Sequence, residues 1–162
     1  MVSANQIKAK QVDAEIIKQR TRLWLKMLKT TRGIENELRR KLQQKFDTTL
    51  PRFDVMAALY RSETGMNMSA LSKALMVSNG NVTGIVERLV SEGLLLRLQG
   101  KEDRRVMLIR LTIKGQELFE KMAIEHRVWV DQLFSQFDFD DTKELMDSFE
   151  KIQESELSSN EK

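Results

Sequence analysis

The stretch VSNGNVTGIVERLVSEG, from Val77 to Gly93, limits the possible folds more than any other part of the chain. Val82, Ile85, Val86, Leu89 and Val90 recur at three- and four-residue spacing, which marks a helix with one buried face. Asn81, Thr83 and Gly84 fall on the opposite side. Ser78 and Asn79 stand where side-chain oxygens can accept the unpaired amide hydrogens of the first turn, and Gly93 supplies a stop. Upstream, Leu71, Ala74 and Leu75 form a shorter apolar repeat opened by Ser69. Two helices are therefore joined by a turn of three or four residues around Val77 and Ser78, which is helix-turn-helix spacing.

Amide and hydroxyl groups on the first turns of such a second helix suit major-groove readout, since Asn can pair with adenine and Thr can meet a thymine methyl. The same spacing also occurs in proteins that bind no nucleic acid. The residues after Gly93 separate the two readings. Leu94–Leu98 is a short apolar run, GKEDRR interrupts it, and Val106–Leu111 is a second run, so two strands flank a charged loop. Lys101, Arg104 and Arg105 concentrate positive charge at the tip of that hairpin, with Gly100 as the turn residue. Read alone, this is an ordinary solvated tip; beside a reading helix it is a wing.

The run LSKALMVSNGNVTGIVERLVSEGLLLR followed by KEDRRVMLIRLTIKG resembles the winged-helix core of the multiple-antibiotic-resistance regulator (MarR) family. The most specific elements are the Asp103-x-Arg105 pair, then Leu111-Thr112 and Gly115, and the resemblance covers about residues 50 to 137. It implies a mainly α fold with a small β wing and a homodimer on a near-palindromic double-stranded DNA operator. It also implies that Ser78, Asn79, Asn81 and Thr83 meet base edges or adjacent phosphates. Arg88 is implied to anchor the DNA backbone or to brace the wing through Asp103, and Arg105 to enter a narrow A·T-rich minor groove. The plainer alternatives are a turn-capping role for Asp103 and a solvated helix surface for Arg88.

The flanking regions read as helices. Ile16, Leu23, Met27, Ile34, Leu38 and Leu42 mark one face between Val12 and Phe46, widened by Trp24, Leu25 and Leu28. Residues 1–11 read as polar and frayed, and Gly33 as a place where that helix can bend or divide. So broad an apolar surface exceeds what a small core requires and predicts dimerisation. Thr49, Leu50 and Pro51 open a second helix whose inner face is Phe53, Met56, Ala57, Leu59 and Tyr60. Gly65–Met68 is a connection able to hold one brief strand against the wing. Thr112 is a natural N-cap for a helix that ends near Phe137. Asp141 with Glu144 reads as a capping box for a last helix with Leu145, Met146, Phe149 and Ile152 inside, and the tail from Ser155 as disordered. The expected division is residues 1–48 for an N-terminal dimerisation region, 49–112 for the DNA-binding lobe and 113–162 for a C-terminal dimerisation region, within one compact domain.

Composition narrows the function. The 162 residues contain no cysteine and one histidine, which excludes disulfides and thiolate metal sites and leaves His126 without a second imidazole. No nucleophile–base set is legible, so the reading is not an enzyme and needs no cofactor. Neither a signal peptide nor a membrane-spanning run is visible, so a cytoplasmic protein without a membrane partner is expected. Net charge is only +3, but bases predominate from Lys8 to Arg61 and acids from Glu117 to Glu161. That distribution suits either DNA at one end or simply solvated helix faces.

The resemblance also implies a sensor pocket, for which Trp24, Met27, Leu28, Phe53, Met56, His126 and Trp129 are candidates; core packing is the alternative for each. RLWLKMLKTTRGIENELRRKL followed by FDTTLPRFDVMAALYR resembles the branch of the family that answers to aromatic acids or their coenzyme A thioesters. Arg20, Arg22, Arg39, Arg40 and Arg52 would then be available to ligand phosphates, or are exposed charges with no such role. The reading is a homodimeric repressor released from its operator by a small effector. Its rivals are a winged-helix protein-interaction module and a ligand-independent DNA-binding protein.

Overall fold

A computed structural model of the chain describes residues 4–100 and 106–159. Helices α1 (Ala4–Phe46), α2 (Leu50–Tyr60), α3 (Met68–Leu75) and α4 (Asn79–Ser91) precede strands β1 (Leu95–Gln99) and β2 (Met107–Leu111). Helices α5 (Ile113–Leu133) and α6 (Phe139–Ser159) follow. The mainly helical architecture with a small antiparallel hairpin is the one the sequence predicts. The chain divides into two compact units, Met1–Met122 and Ala123–Lys162, and the dividing point lies inside α5.

In the first unit, α1 runs 43 residues without interruption. Two expectations are corrected here. The helix begins at Ala4 because ANQIKAKQ contains neither proline nor glycine to stop it. Gly33 does not divide it: nothing lies within 4 Å of where a Cβ would stand, so it costs only the roughly 1 kcal/mol of glycine's extra backbone freedom. Local pairs reinforce the exposed side, among them Glu37 with Arg40 at 2.5 Å and Asn36 with Arg39 at 2.6 Å. Among the described residues of α1, Leu38 and Leu42 are the apolar side chains that are buried, whereas Leu23, Trp24 and Leu25 stay more than half exposed.

Thr49 and Pro51 open α2 as expected; the Thr49 carbonyl accepts the amides of Arg52 and Phe53, both at 3.1 Å. Phe53, Val55, Met56 and Leu59 are buried, and the rings of Phe53 and Tyr60 pack on Phe119 of α5 at 5.5 and 4.8 Å. Asn67, not Ser69, caps α3, because its Oδ1 accepts the Ala70 amide at 2.8 Å. Val82, Val86 and Leu89 of α4 are wholly buried with Leu71 of α3, each removing a side chain from water for about 1.5–3 kcal/mol.

The hairpin pairs Leu95 with Leu111 and Gln99 with Met107. Met66 adds the brief strand anticipated beside the wing, exchanging two backbone hydrogen bonds with Ile109 at 3.1 and 2.8 Å. Gly65 makes that approach possible. It adopts φ +86°, and a Cβ there would collide with the Ile109 carbonyl and the Arg110 side chain. Thr112 caps α5 as expected. Its hydroxyl oxygen accepts the Gly115 amide at 3.0 Å while the hydroxyl donates to the Gly93 carbonyl at 2.7 Å. Gly115 is obligatory for packing, since a Cβ would overlap the Leu94 carbonyl.

The second unit holds the rest of α5 and all of α6. Here α5 stops at Leu133 rather than near Phe137, and the rings of Phe134 and Phe137 pack in the turn at 6.1 Å. The capping box is Asp138 with Asp141, three residues earlier than expected. The Asp141 amide donates to Asp138 Oδ1 at 2.9 Å and the Asp138 amide to Asp141 Oδ2 at 3.2 Å, which brings Asp140 and Asp141 into the first turn of the helix dipole. α6 continues past Ser155 to Ser159, so the expected disordered tail begins too early. Leu145, Met146, Phe149 and Ile152 are not inside: all four are exposed on the single chain.

Candidate nucleic-acid interface

The helix-turn-helix is shaped by one unusual residue. Met76 ends α3 in the left-handed region at φ 53°, and its amide returns to the Lys73 carbonyl at 3.2 Å. The turn therefore completes within Met76–Ser78, and α4 leaves in a new direction. Ser78 occupies the N-cap position with extended backbone, and its side chain makes no capping hydrogen bond; the Asn81 amide donates to the Ser78 carbonyl at 3.1 Å, so the Asn79 and Gly80 amides are the first-turn donors that keep capacity for an external acceptor.

Ser78, Asn79, Asn81 and Thr83 are all exposed at the start of α4, whose Val82, Val86 and Leu89 are buried. Thr83 turns its hydroxyl back to the Asn79 carbonyl at 2.8 Å, so its methyl remains the outward-facing chemistry. Gly80 and Gly84 have open space where a Cβ would be. The helix surface between the polar groups is thus bare, which allows close approach by a sugar–phosphate backbone.

Arg88 lies further along the same helix and is exposed. Lys101, Asp103, Arg104 and Arg105 lie outside the described residues, which resume after the Gly100 amide meets the Val106 carbonyl at 2.8 Å. The bracing assigned to Arg88 and Asp103 therefore lies outside them as well.

A further support of the reading helix involves residues 40 positions apart. Arg52 of α2 makes a bidentate pair with Glu92, the C-cap residue of α4: Nη1 to Oε1 is 2.7 Å, and Nη2 closes on Oε2. The pair pulls the Glu92 carboxyl below its ordinary value, with burial opposing and Lys114 and Arg88 assisting. Lys114 Nζ also donates to the Glu92 carbonyl at 3.0 Å. Both ends of α4 are therefore fixed, one by the αL turn and one by an ion pair. Arg52 is accordingly committed within the chain, and Arg40 is committed to Glu37.

The seven candidate pocket residues are divided between the units. Trp24 is exposed, Met27 and Leu28 half-buried on α1, and Phe53 and Met56 are core residues of α2. His126 and Trp129 belong to the second unit, where burial lowers the pKa of His126 and Trp129 is itself buried. None of the seven lines the open groove of about 830 Å3 that lies between α2 and the α3–α4 turn, where Asp54, Arg61 and Asn81 meet an apolar floor. Among the described residues no group of three acidic, histidine or cysteine side chains could hold a metal ion, and no helix is long and apolar enough to cross a membrane.

Comparison with known proteins bears on this geometry. Residues 48–107 match the model of the MarR family. The chain is 27% identical over 88 residues to the HTH-type transcriptional regulator BilQ of Clostridium symbiosum, a match covering 54% of this chain and 61% of BilQ. It thus spans about three fifths of the length of that curated relative. It is 31% identical to a MarR family transcriptional regulator from Silicibacter pomeroyi, with a TM-score of 0.73 over 85% of this chain and 95% of that one. Its fold is also that of Sco3205 from Streptomyces coelicolor, solved in complex with DNA, at a TM-score of 0.76, 21% identity and coverage of 85% and 88%. With the winged helix-turn-helix, the Thr112 cap and the Gly115 contact all in place, the chain belongs to the MarR family.

Proposed function

We propose that the protein is a homodimeric transcription regulator that binds a near-palindromic DNA operator through α4 and the β1–β2 wing. One observation carries the reading: Ser78, Asn79, Asn81 and Thr83 stand exposed on the first two turns of a helix clamped at both ends, with Gly80 and Gly84 leaving the surface between them open. Asn81 reads a base edge, Ser78 and Asn79 with the first-turn amides hold phosphate, and Thr83 meets a thymine methyl. Arg88 and Lys101 contact backbone, Arg104 and Arg105 supply the wing's charge, and Asp103 braces it.

The dimer is supported by the exposed apolar faces of α1 and α6. Sco3205, of the same fold, binds DNA. Regulation is repression, relieved by a small effector of the aromatic-acid or coenzyme A thioester class that favours a dimer with wrongly spaced reading helices. The exposed Arg20, Arg22 and Arg39 of α1 suit such an anion, whereas Arg40 and Arg52 are already paired. The protein acts in the cytoplasm and catalyses no reaction.

The test is selection of bound duplexes from random DNA followed by anisotropy titration of the selected site. Wild-type protein should protect a palindrome, and Asn81→Ala should relax base preference at one position of each half-site at a cost of about 1–3 kcal/mol. Equal affinity for selected and scrambled duplexes would refute the reading.

A further inference from the structure

The groove between α2 and the α3–α4 turn has a composition that the aromatic-acid effector does not use. Its volume, about 830 Å3, is that of a small-molecule site. Its floor is apolar: Val55 and Val82 are wholly buried, and Ala58 and Ile85 are half-buried beside them. Its one carboxylate is Asp54, which is half-buried on the α2 wall and makes no hydrogen bond or ion pair among the described residues. Loss of solvent, and to a smaller extent the neighbouring Glu35 of α1, raise its pKa to about 6. A carboxylate so placed has given up water without gaining a counter-charge.

We propose that this groove binds a small planar aryl cation, its amidinium or guanidinium group paired with Asp54 and its ring laid on Val55, Val82 and Ile85. Charge decides the class. An anion held there would meet the Asp54 carboxylate as a like charge, and a neutral ring would leave that carboxylate uncompensated. Arg61, the groove's own cation, stands seven residues along α2, about 10 Å away by helical rise. It forms no ion pair with Asp54 among the described residues and so leaves the carboxylate unsatisfied. It does repel a second positive charge, which restricts the occupant to a monocation. Two N–H groups on one carbon match the two oxygens of Asp54.

The opposite rim is Asn81. The consequence for DNA rests on the regulator reading: a ring seated against Asn81 and between α2 and α4 alters the surface that would meet a base edge, so ligand and operator weaken each other.

The experiment is calorimetric titration of the full chain with benzamidinium, and with benzoate as a ring of the same shape and opposite charge. Saturable benzamidinium binding at one per chain, lost at least about tenfold in Asp54→Asn, with no saturable benzoate binding that depends on Asp54, is the expected result. No saturation by benzamidinium, equal affinity in Asp54→Asn, or equal binding of benzoate at this site would each overturn the site. A benzamidinium affinity that falls as protein concentration rises would show that a second copy fills the groove, and would also overturn it. The DNA consequence is read separately by operator anisotropy with saturating benzamidinium, where a weakened operator complex is expected and an unchanged one overturns the coupling. Failure of the ligand-free protein to bind any selected duplex overturns the regulator reading alone, because the calorimetric result does not depend on DNA.

Discussion

Helices α4 and α6 are both amphipathic, yet only one completes its apolar face within the chain. Val82, Val86 and Leu89 of α4 have no exposure at all, while Leu145, Met146, Phe149 and Ile152 of α6 are 41–57% exposed. α4 is set into a core built by α2, α3 and the hairpin; the apolar side of α6, like Leu23, Trp24 and Leu25 on α1, stays exposed on the single chain. An apolar periodicity therefore marks a face without specifying that its own chain buries it. Under the proposed dimer the two helices have different energetics, one intrinsic to the subunit and one dependent on assembly.

Truncating each helix tests this contrast most severely. Leu89→Ala should cost about 2–5 kcal/mol of unfolding free energy, by the same amount at protein concentrations about a hundredfold apart. Phe149→Ala should act through the proposed dimer, so its thermal destabilisation shrinks as concentration rises. Chemical denaturation at both concentrations decides the matter. A concentration-independent loss for both variants would abolish the distinction between the two helices.

The next largest effect concerns how tightly the first unit is finished. A methyl at Gly115 would meet the Leu94 carbonyl, a backbone atom that cannot rotate away, so Gly115→Ala forces α5 off β1. The expected cost is about 1–3 kcal/mol, read by thermal unfolding. Gly33→Ala, with nothing near it, should be stabilising by up to about 1 kcal/mol. If both variants behaved alike, the close approach at Thr112–Gly115 would carry no weight in the packing.

Why some of this was legible and some was not follows from the range of the interactions. The α4 periodicity, its Gly93 stop, the strand–loop–strand pattern and the Thr112 cap are all encoded within a few residues of one another, and the structure has them. The caps that moved did so where several capping residues compete in one short window. Asn67 and Ser69 flank the same start, and DFDDTKE offers two registers, of which Asp138 with Asp141 satisfies two amides reciprocally. Arg52 and Glu92 are 40 residues apart and have no local signal; Arg52 reads as one more surface base until α2 and the end of α4 are placed side by side. Asp54 has no local signal either, because the groove it lines is completed by residues of α3, the turn and α4. Wing-tip chemistry at Lys101, Asp103, Arg104 and Arg105 stays a matter of sequence alone, since these residues lie outside those described.

Asp54 is the exception inside the well-packed first unit, and it supplies a smaller prediction with a definite sign. Its folded pKa of about 6 lies above the ordinary 3.8, so between those values the native state holds the proton more readily than the unfolded chain. Stability should therefore fall as pH rises from about 4 to 6 and stay reduced above that. Asp54→Asn should remove this limb and stabilise the protein near pH 7.5 by about 1 kcal/mol, a figure discounted for the group's partial exposure. Equal pH profiles for the variant and wild type in denaturant titrations would mean that Asp54 is well solvated after all.

Glu92 provides the opposite sign and the smallest effect. Its carboxyl is held below the usual 4.5 chiefly by the hydrogen bond from Arg52, so the native state resists protonation and the contribution is present above the ordinary value, then lost as pH falls through the folded one. Its side chain is 45% exposed, so the pair is worth about 0.5 kcal/mol rather than the several assigned to a buried one. Glu92→Gln should thus leave neutral-pH stability nearly unchanged while flattening the acid limb that Asp54 does not account for. The more telling readout is local: because Glu92 caps α4 and Arg52 comes from α2, amide exchange should quicken over Arg88–Gly93 and not over α6. Equal acceleration in both helices would mean that the two ends of the molecule share one stability, and the comparison between them would fail.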